Sequence, residues 1–227
     1  MIFGRKAHEG GADAKGSEAL LDDAAADEAG DGAEPDGPFD PRSDGPFDAD
    51  EVDLDADDVE RVTFGPLVIT PFDGLNLQLH GDPQSNTIQA LLAAYGDSGL
   101  ELALFAAPRT GGLASELREE TIEEATQAGG HAEEAGGPFG PEIRRVLPIE
   151  GPEGEQLFHV SRIWLVEGPR WLLRGTLMGR AGMVDGESEP ADLFVEFFRN
   201  VVVCRDEDPR VPGELIHLAV PGNVTKG

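Results

Sequence analysis

Gln156-Leu157-Phe158-His159-Val160-Ser161-Arg162-Ile163-Trp164-Leu165-Val166-Glu167-Gly168-Pro169-Arg170-Trp171-Leu172-Leu173-Arg174-Gly175-Thr176-Leu177-Met178 is the stretch from which the fold is read. Two runs rich in β-branched and aromatic residues, Gln156–Val166 and Arg170–Met178, flank Glu167-Gly168-Pro169. That connection is short enough to force an antiparallel hairpin. Side chains alternate across a strand, so Arg170, Leu172, Arg174 and Thr176 are expected on one face and Trp171, Leu173, Gly175 and Leu177 on the other. Arg162 and Trp164 share an alternate register on the partner strand.

Outward from the hairpin, Glu142–Ile149 supplies a third strand before it. A helix is expected near Pro190, with Ser188 as N-cap and an apolar face of Leu193, Phe194, Phe197, Phe198 and Val201. Val201–Arg205 reads as a buried strand and Leu215–Val220 as an edge segment. Upstream, Gly112–Gln127 carries the stripe Leu113, Leu117, Ile122 and Ala125 and stops at Gly129-Gly130, which is a helix. Arg61–Gly65, Leu67–Thr70, Leu75–His80, Thr87–Tyr95 and Leu100–Ala106 read as strands, punctuated by Gly65-Pro66, Asp73-Gly74 and Gly96-Asp97-Ser98-Gly99. The order is strands, helix, three strands, helix, strand: an α+β fold, mainly an antiparallel sheet with two principal helices packed on it.

Charge is distributed unevenly. The chain holds 45 acidic and 17 basic residues, net −28, and residues 1–60 contain 20 of the acids but only 4 of the bases. Low hydrophobicity with high charge cannot offset the backbone entropy of folding, about 1–2 kcal/mol per residue. Residues 1–58 are therefore expected to form a disordered acidic tail, 59–221 a single α+β domain, and 222–227 a flexible C-terminus. Within the tail, Asp36-Gly37-Pro38-Phe39-Asp40 recurs as Asp44-Gly45-Pro46-Phe47-Asp48. Phe39 and Phe47 then form a docking motif, pack on the tail's own domain, or stand in a duplicated Pro/Gly spacer without consequence. An anionic surface disfavours direct binding to nucleic acid or to anionic lipid. The single cysteine, Cys204, the absence of an apolar run long enough to span a bilayer and the lack of a signal-like segment after Arg5-Lys6 point to the cytoplasm. Scarce lysine beside common arginine fits either a high-GC coding bias or a halophile's surface.

Motifs of defined chemistry fail on inspection. Gly96-Asp97-Ser98-Gly99 resembles a trypsin-like nucleophile segment, but Leu100 stands where that segment needs Gly. Asp53, Asp55 and Asp57 have calcium-loop spacing, but Asp58 and Phe64 occupy positions that require Gly and Glu. The five histidines and Cys204 show no zinc spacing, and no glycine-rich phosphate loop is present. No catalytic residue, cofactor or metal is therefore expected. The remaining candidates are basic: Arg109, Arg170 and Arg174, with Trp171 beside them, form a candidate anion- or partner-binding group, set against a solvated face paired with local Asp and Glu.

From Gly65 to Pro221 the chain resembles an actinobacterial family of uncharacterised proteins, a domain-of-unknown-function family. Phe105-Ala106-Ala107-Pro108-Arg109-Thr110-Gly111-Gly112, Gly137-Pro138-Phe139-Gly140, Gly168-Pro169-Arg170-Trp171-Leu172-Leu173-Arg174-Gly175 and the Phe-rich helix carry the resemblance, and Gly-Pro-Phe-Asp of the tail matches it too. It implies no activity. The element order is also similar to the Mog/PsbP-like fold, whose members act mostly as binding and assembly factors, an analogy of fold alone. The function expected is a noncatalytic protein-binding or assembly module with an unidentified protein partner. The alternatives are a small-molecule or anion binder, or an enzyme, using the arginine-bearing sheet face, and a solubilising or stress-linked protein acting through its tail.

Overall fold

The hairpin is present in the computed structural model, which describes residues 4–5, 40–82, 87–206 and 208–222. In chain order the strands are β1 (Gly4–Arg5), β2 (Phe47–Asp48), β3 (Val52–Asp53), β4 (Val62–Phe64), β5 (Leu67–Ile69), β6 (Asn76–Asp82), β7 (Thr87–Tyr95), β8 (Ser98–Ala106), β9 (His131–Gly137), β10 (Gly140–Glu150), β11 (Gln156–Gly168), β12 (Trp171–Gly179), β13 (Val202–Val203) and β14 (Leu215–Ile216). Two helices interrupt them, α1 (Leu113–Gln127) and α2 (Ala191–Arg199). The large sheet runs β6-β7-β8-β12-β11-β10-β9, all pairs antiparallel. β7 pairs with β8 only as far as Leu91–Leu102. Beyond that point Leu215 and Ile216 of β14 take over the edge of β8, and Leu218 bridges to Ile88. A smaller sheet, β2-β13-β5-β4, lies apart, and β1 pairs with β3.

The helices pack on opposite faces of the large sheet, giving an α+β architecture. On one face α1 buries Leu113, Ala114 and Ala125 against Ile143, Ile163, Leu165 and Leu172. On the other, Phe194, Phe197 and Phe198 of α2 join Trp164, Trp171, Leu173 and Leu177 and the small sheet's Leu67 and Ile69 in the main core. Gly175 permits this approach, since a Cβ there would lie 2.7 Å from the Phe198 ring. The N-cap residue Gly112 offers no side chain to α1. Glu167, from the end of β11, instead accepts the Gly112 and Leu113 N–H groups at 3.1 and 2.9 Å, placing negative charge at the positive end of the helix dipole.

Three expectations need correction. The meander between the helices has four strands, not three. β9 escaped notice because it is an edge strand with one buried side chain, Ala132, and so lacks an apolar alternation. Ser188 supplies its carbonyl, rather than its hydroxyl, to the start of α2.

The third correction concerns residues 40–58, which pack on the domain rather than extending the tail. Phe47 is 3% exposed and Val52 2%, and β2 pairs in parallel with β13. Gly45, at φ 98°, presses its backbone onto the Arg199 carbonyl, where any side chain would collide. Two anchors and a backbone ladder thus order a segment whose charge alone argued for disorder.

A buried ion pair links the middle strands to the loop after β12. Glu142 and Arg162 are each 1% exposed. The Glu142 carboxylate accepts from Arg162 Nε and an Arg162 terminal nitrogen, from Trp164 Nε1 and from Arg144 Nε. The other terminal nitrogen of Arg162 donates to the Val184 and Gly186 carbonyls. Glu142→Gln leaves the buried guanidinium without its counter-charge and is expected to cost about 3–5 kcal/mol, measured as a loss of unfolding free energy in urea. Phe194→Ala is expected to cost a similar amount, about 3–5 kcal/mol, through the cavity it leaves.

Candidate functional site

Alternation places Leu172, Arg174 and Thr176 on the α1 side of β12. The register carries that face to Ser161, Ile163 and Leu165 on β11, to Ile143 and Arg145 on β10, and to Glu101, Ala103 and Phe105 on β8. α1 covers the apolar part of this face. Beside it lies a polar strip in which Ser161 and Thr176, both buried, fall between Arg145 and Arg174 in the register.

Arg174 stacks over Phe105 with its guanidinium carbon 5.1 Å from the ring centroid. A terminal nitrogen of Arg174 lies 4.0 Å from one Glu101 oxygen, while His80 Nδ1 is 3.6 Å from the other. The Arg174 Nε is buried with no hydrogen-bond partner among the described residues. Arg145 Nε donates to Ser161 Oγ at 3.3 Å. Burial presses both guanidinium groups below their ordinary pKa, and the charge of Arg174 presses Arg145 down further. Glu101 and Glu124 pull both partly back. The strip therefore holds two desolvated cations incompletely matched by carboxylates.

The other sequence candidates lie elsewhere. β12 begins at Trp171, so Arg170 sits in the preceding turn at φ 61° and does not share a strand face with Arg174. Arg109 is exposed on the turn leading to α1. Arg162 lies on the opposite face, within the buried ion pair. Trp171 is wholly buried, and its Nε1 donates to Asp48 Oδ2 at 2.8 Å. Arg42, paired with Glu51, lies over the Trp171 ring at 5.6 Å. Trp171 therefore fastens the 40–58 segment rather than meeting a partner. Phe47 is a core residue, and Phe39 lies outside the described residues. Sequence reasoning passed over Arg145 as a site residue, because only strand register reveals that it faces Arg174. Cys204 is half-buried, and burial with the Asp48 and Asp50 charges raises its thiol pKa, the opposite of a reactive setting.

Among the described residues no cluster of His, Cys, Asp and Glu is arranged to hold a metal, and no helix is long and apolar enough to cross a membrane. Trp171→Phe keeps the ring but removes the donor to the Asp48 carboxylate. It is expected to cost about 1.5–3 kcal/mol in urea unfolding and to leave binding at the Arg174 strip unchanged.

The family model described as "Protein of unknown function (DUF3710)" matches residues 45–227, beginning at Gly45, the glycine pressed onto Arg199, and the chain belongs to that family. No curated protein matches the chain. A crystal structure from Bacteroides thetaiotaomicron VPI-5482 aligns with a TM-score of 0.37 at 10% identity, covering 68% of this chain and 52% of its own. The chain thus spans about half the length of that protein.

Proposed function

We propose that this member of the DUF3710 family is a noncatalytic protein-binding or assembly module of the cytoplasm, and that it receives an acidic segment of a protein partner along the Arg145–Arg174 strip. The observation that carries this reading is Arg174: half-exposed, stacked on Phe105, with a buried Nε that no group among the described residues accepts from and its nearest carboxylate at 4.0 Å. In a chain with 45 acidic residues, a surface arginine left so poorly matched is a feature that a partner's carboxylate would complete.

Geometry favours an extended ligand over a compact one. Arg145 is two strands from Arg174, about 10 Å across the sheet at about 4.8 Å per strand. Its row meets β12 at Met178, about 13 Å along the strand from Arg174. A single carboxylate cannot answer both backbone positions, whereas a segment with acidic residues several positions apart can.

The test is titration of a labelled Glu-rich peptide into the full chain and into an Arg145→Ala, Arg174→Ala double variant, at low and high salt. Wild type is expected to bind at least about tenfold more tightly at low salt. The gap should narrow as salt screens the local charges over about 8–10 Å. Comparing the two proteins at each salt cancels the long-range repulsion of the acidic chain. Equal affinities would return these arginines to a solvated face.

A further inference from the structure

The β10–β11 hairpin outruns its neighbours. β9 stops pairing with β10 at His131–Val146, and β12 stops pairing with β11 at Met178–Ser161. The next pairs, Leu147–His159, Pro148–Phe158, Ile149–Leu157 and Glu150–Gln156, have no third strand beside them among the described residues. The hairpin thus projects about 10 Å past Leu147, at about 3.3 Å per residue. Two strands alone build no core, so a purely structural arm would carry polar side chains on both faces. This one is apolar instead. Phe158 is 60% exposed, and Ile149 and Leu157 are exposed on the opposite face.

Phe158 continues a groove. Val160 follows it on the same face of β11, opposite Val146 on β10, and both line a groove of about 390 Å³ together with Met183, Val184 and Glu133. Met183 ends the short 3-10 turn Arg180–Met183, and hydrogen bonds fix that turn against the sheet. Ala181 N–H donates to Ser98 Oγ at 3.0 Å, and Arg162 donates to the Val184 and Gly186 carbonyls. A Cβ on Gly182 would lie 2.8 Å from the Leu177 carbonyl oxygen. Met183 itself is left 65% exposed. A fixed wall bearing a flexible thioether is preorganised and still adapts to an apolar side chain.

The charge around this surface has one sign. Leu147–Phe158 contains Glu150, Glu153 and Glu155 and no Lys or Arg. All three are exposed, with no ion pair among the described residues. Glu133 has only His131, at 3.8 Å, within ion-pair distance among those residues. Of the arginines bordering the groove, Arg162 and Arg144 are taken by Glu142 and Asp185. The Arg145 side chain donates to Ser161 on the α1 face.

We propose that this arm is a docking surface for a protein partner, whose extended segment of apolar residues alternating with Lys or Arg lies along Phe158, Val160 and Met183. The exposed apolar side chains supply the contact, and the unpaired carboxylates select basic residues beside it. A second copy of the chain is a poor occupant, because it would bring the same carboxylates and the same net charge of −28 against themselves. The chain's own residues 6–39 hold two lysines against ten acids and fit no better. The surface does not depend on the Arg145–Arg174 strip and takes charge of the opposite sign.

The test titrates two labelled peptides into the full chain by fluorescence anisotropy, one alternating Val with Lys and the other Ser with Lys. Wild type is expected to bind the Val–Lys peptide at least about tenfold more tightly. A Phe158→Ser, Met183→Ser double variant should lose that preference and keep its thermal midpoint, since both side chains are exposed. Leu157→Ser, on the opposite face, should retain the preference. Glu150→Gln, Glu153→Gln should weaken both peptides alike. No preference in wild type, a preference that survives Phe158→Ser, Met183→Ser, or one lost in Leu157→Ser would overturn the proposal. So would a wild-type dimer in sedimentation that Phe158→Ser disperses, which would make a second copy the occupant. The acidic-segment reading is probed with a peptide of opposite charge and stands or falls separately.

Discussion

A carboxylate placed in the interior must find donors for its oxygens, and Glu142 finds them on two strands at once. Arg162 and Trp164 reach it from β11, and Arg144 from its own strand. A slip of one residue between β10 and β11 would turn Glu142 and Arg162 to opposite faces and leave a buried charge alone. The pair therefore holds the register of the central strands. Register in turn decides which side chains face α2 and which face α1. Trp164, held by the same carboxylate, packs edge-on against Phe139 and Phe198 with centroids 5.1 and 5.3 Å away, so the polar constraint and the aromatic core form one unit.

Trp171 plays the corresponding part on the next strand. Its ring is buried in the main core, while its single polar atom reaches Asp48. Asp48 also caps the short 3-10 turn Ala49–Glu51, and Glu51 returns a carboxylate to the Asp48 N–H and to Arg42. A strongly acidic segment is thereby attached to the domain by one indole, one phenyl ring and a set of local hydrogen bonds. The second Gly-Pro-Phe-Asp copy is part of this attachment.

The arginines sort into three environments that a sequence cannot separate. Arg162 is buried and fully satisfied, and it serves the fold. Arg210, Arg199 and Arg118 are half-buried beside local carboxylates at 2.8 to 3.0 Å. Arg145, Arg174, Arg170 and Arg205 are half-buried too, with no carboxylate closer than 4.0 Å among the described residues. Incomplete pairing rather than burial separates this last group, and it depends on what the fold brings near each guanidinium.

Periodicity by itself determined much of this protein. Alternation in Gln156–Met178 settled the hairpin, the helical stripe settled Gly112–Gln127, and the phenylalanines of α2 marked the core, because each signal is local and repeats along the chain. The α+β class followed from element order. What sequence alone misjudged was non-local. β9 is held by pairing to β10 without an apolar face of its own, and residues 40–58 are ordered by contacts with Trp171 and β13 more than a hundred positions away. Arg170 and Arg174 are separated by a turn that starts β12 one residue later than alternation assumed, while Arg145 joins Arg174 only through the register of three strands. Local pattern determines which way a side chain can point. Only tertiary structure decides what stands opposite it, because burial and charge compensation are set by neighbours that the chain supplies from elsewhere.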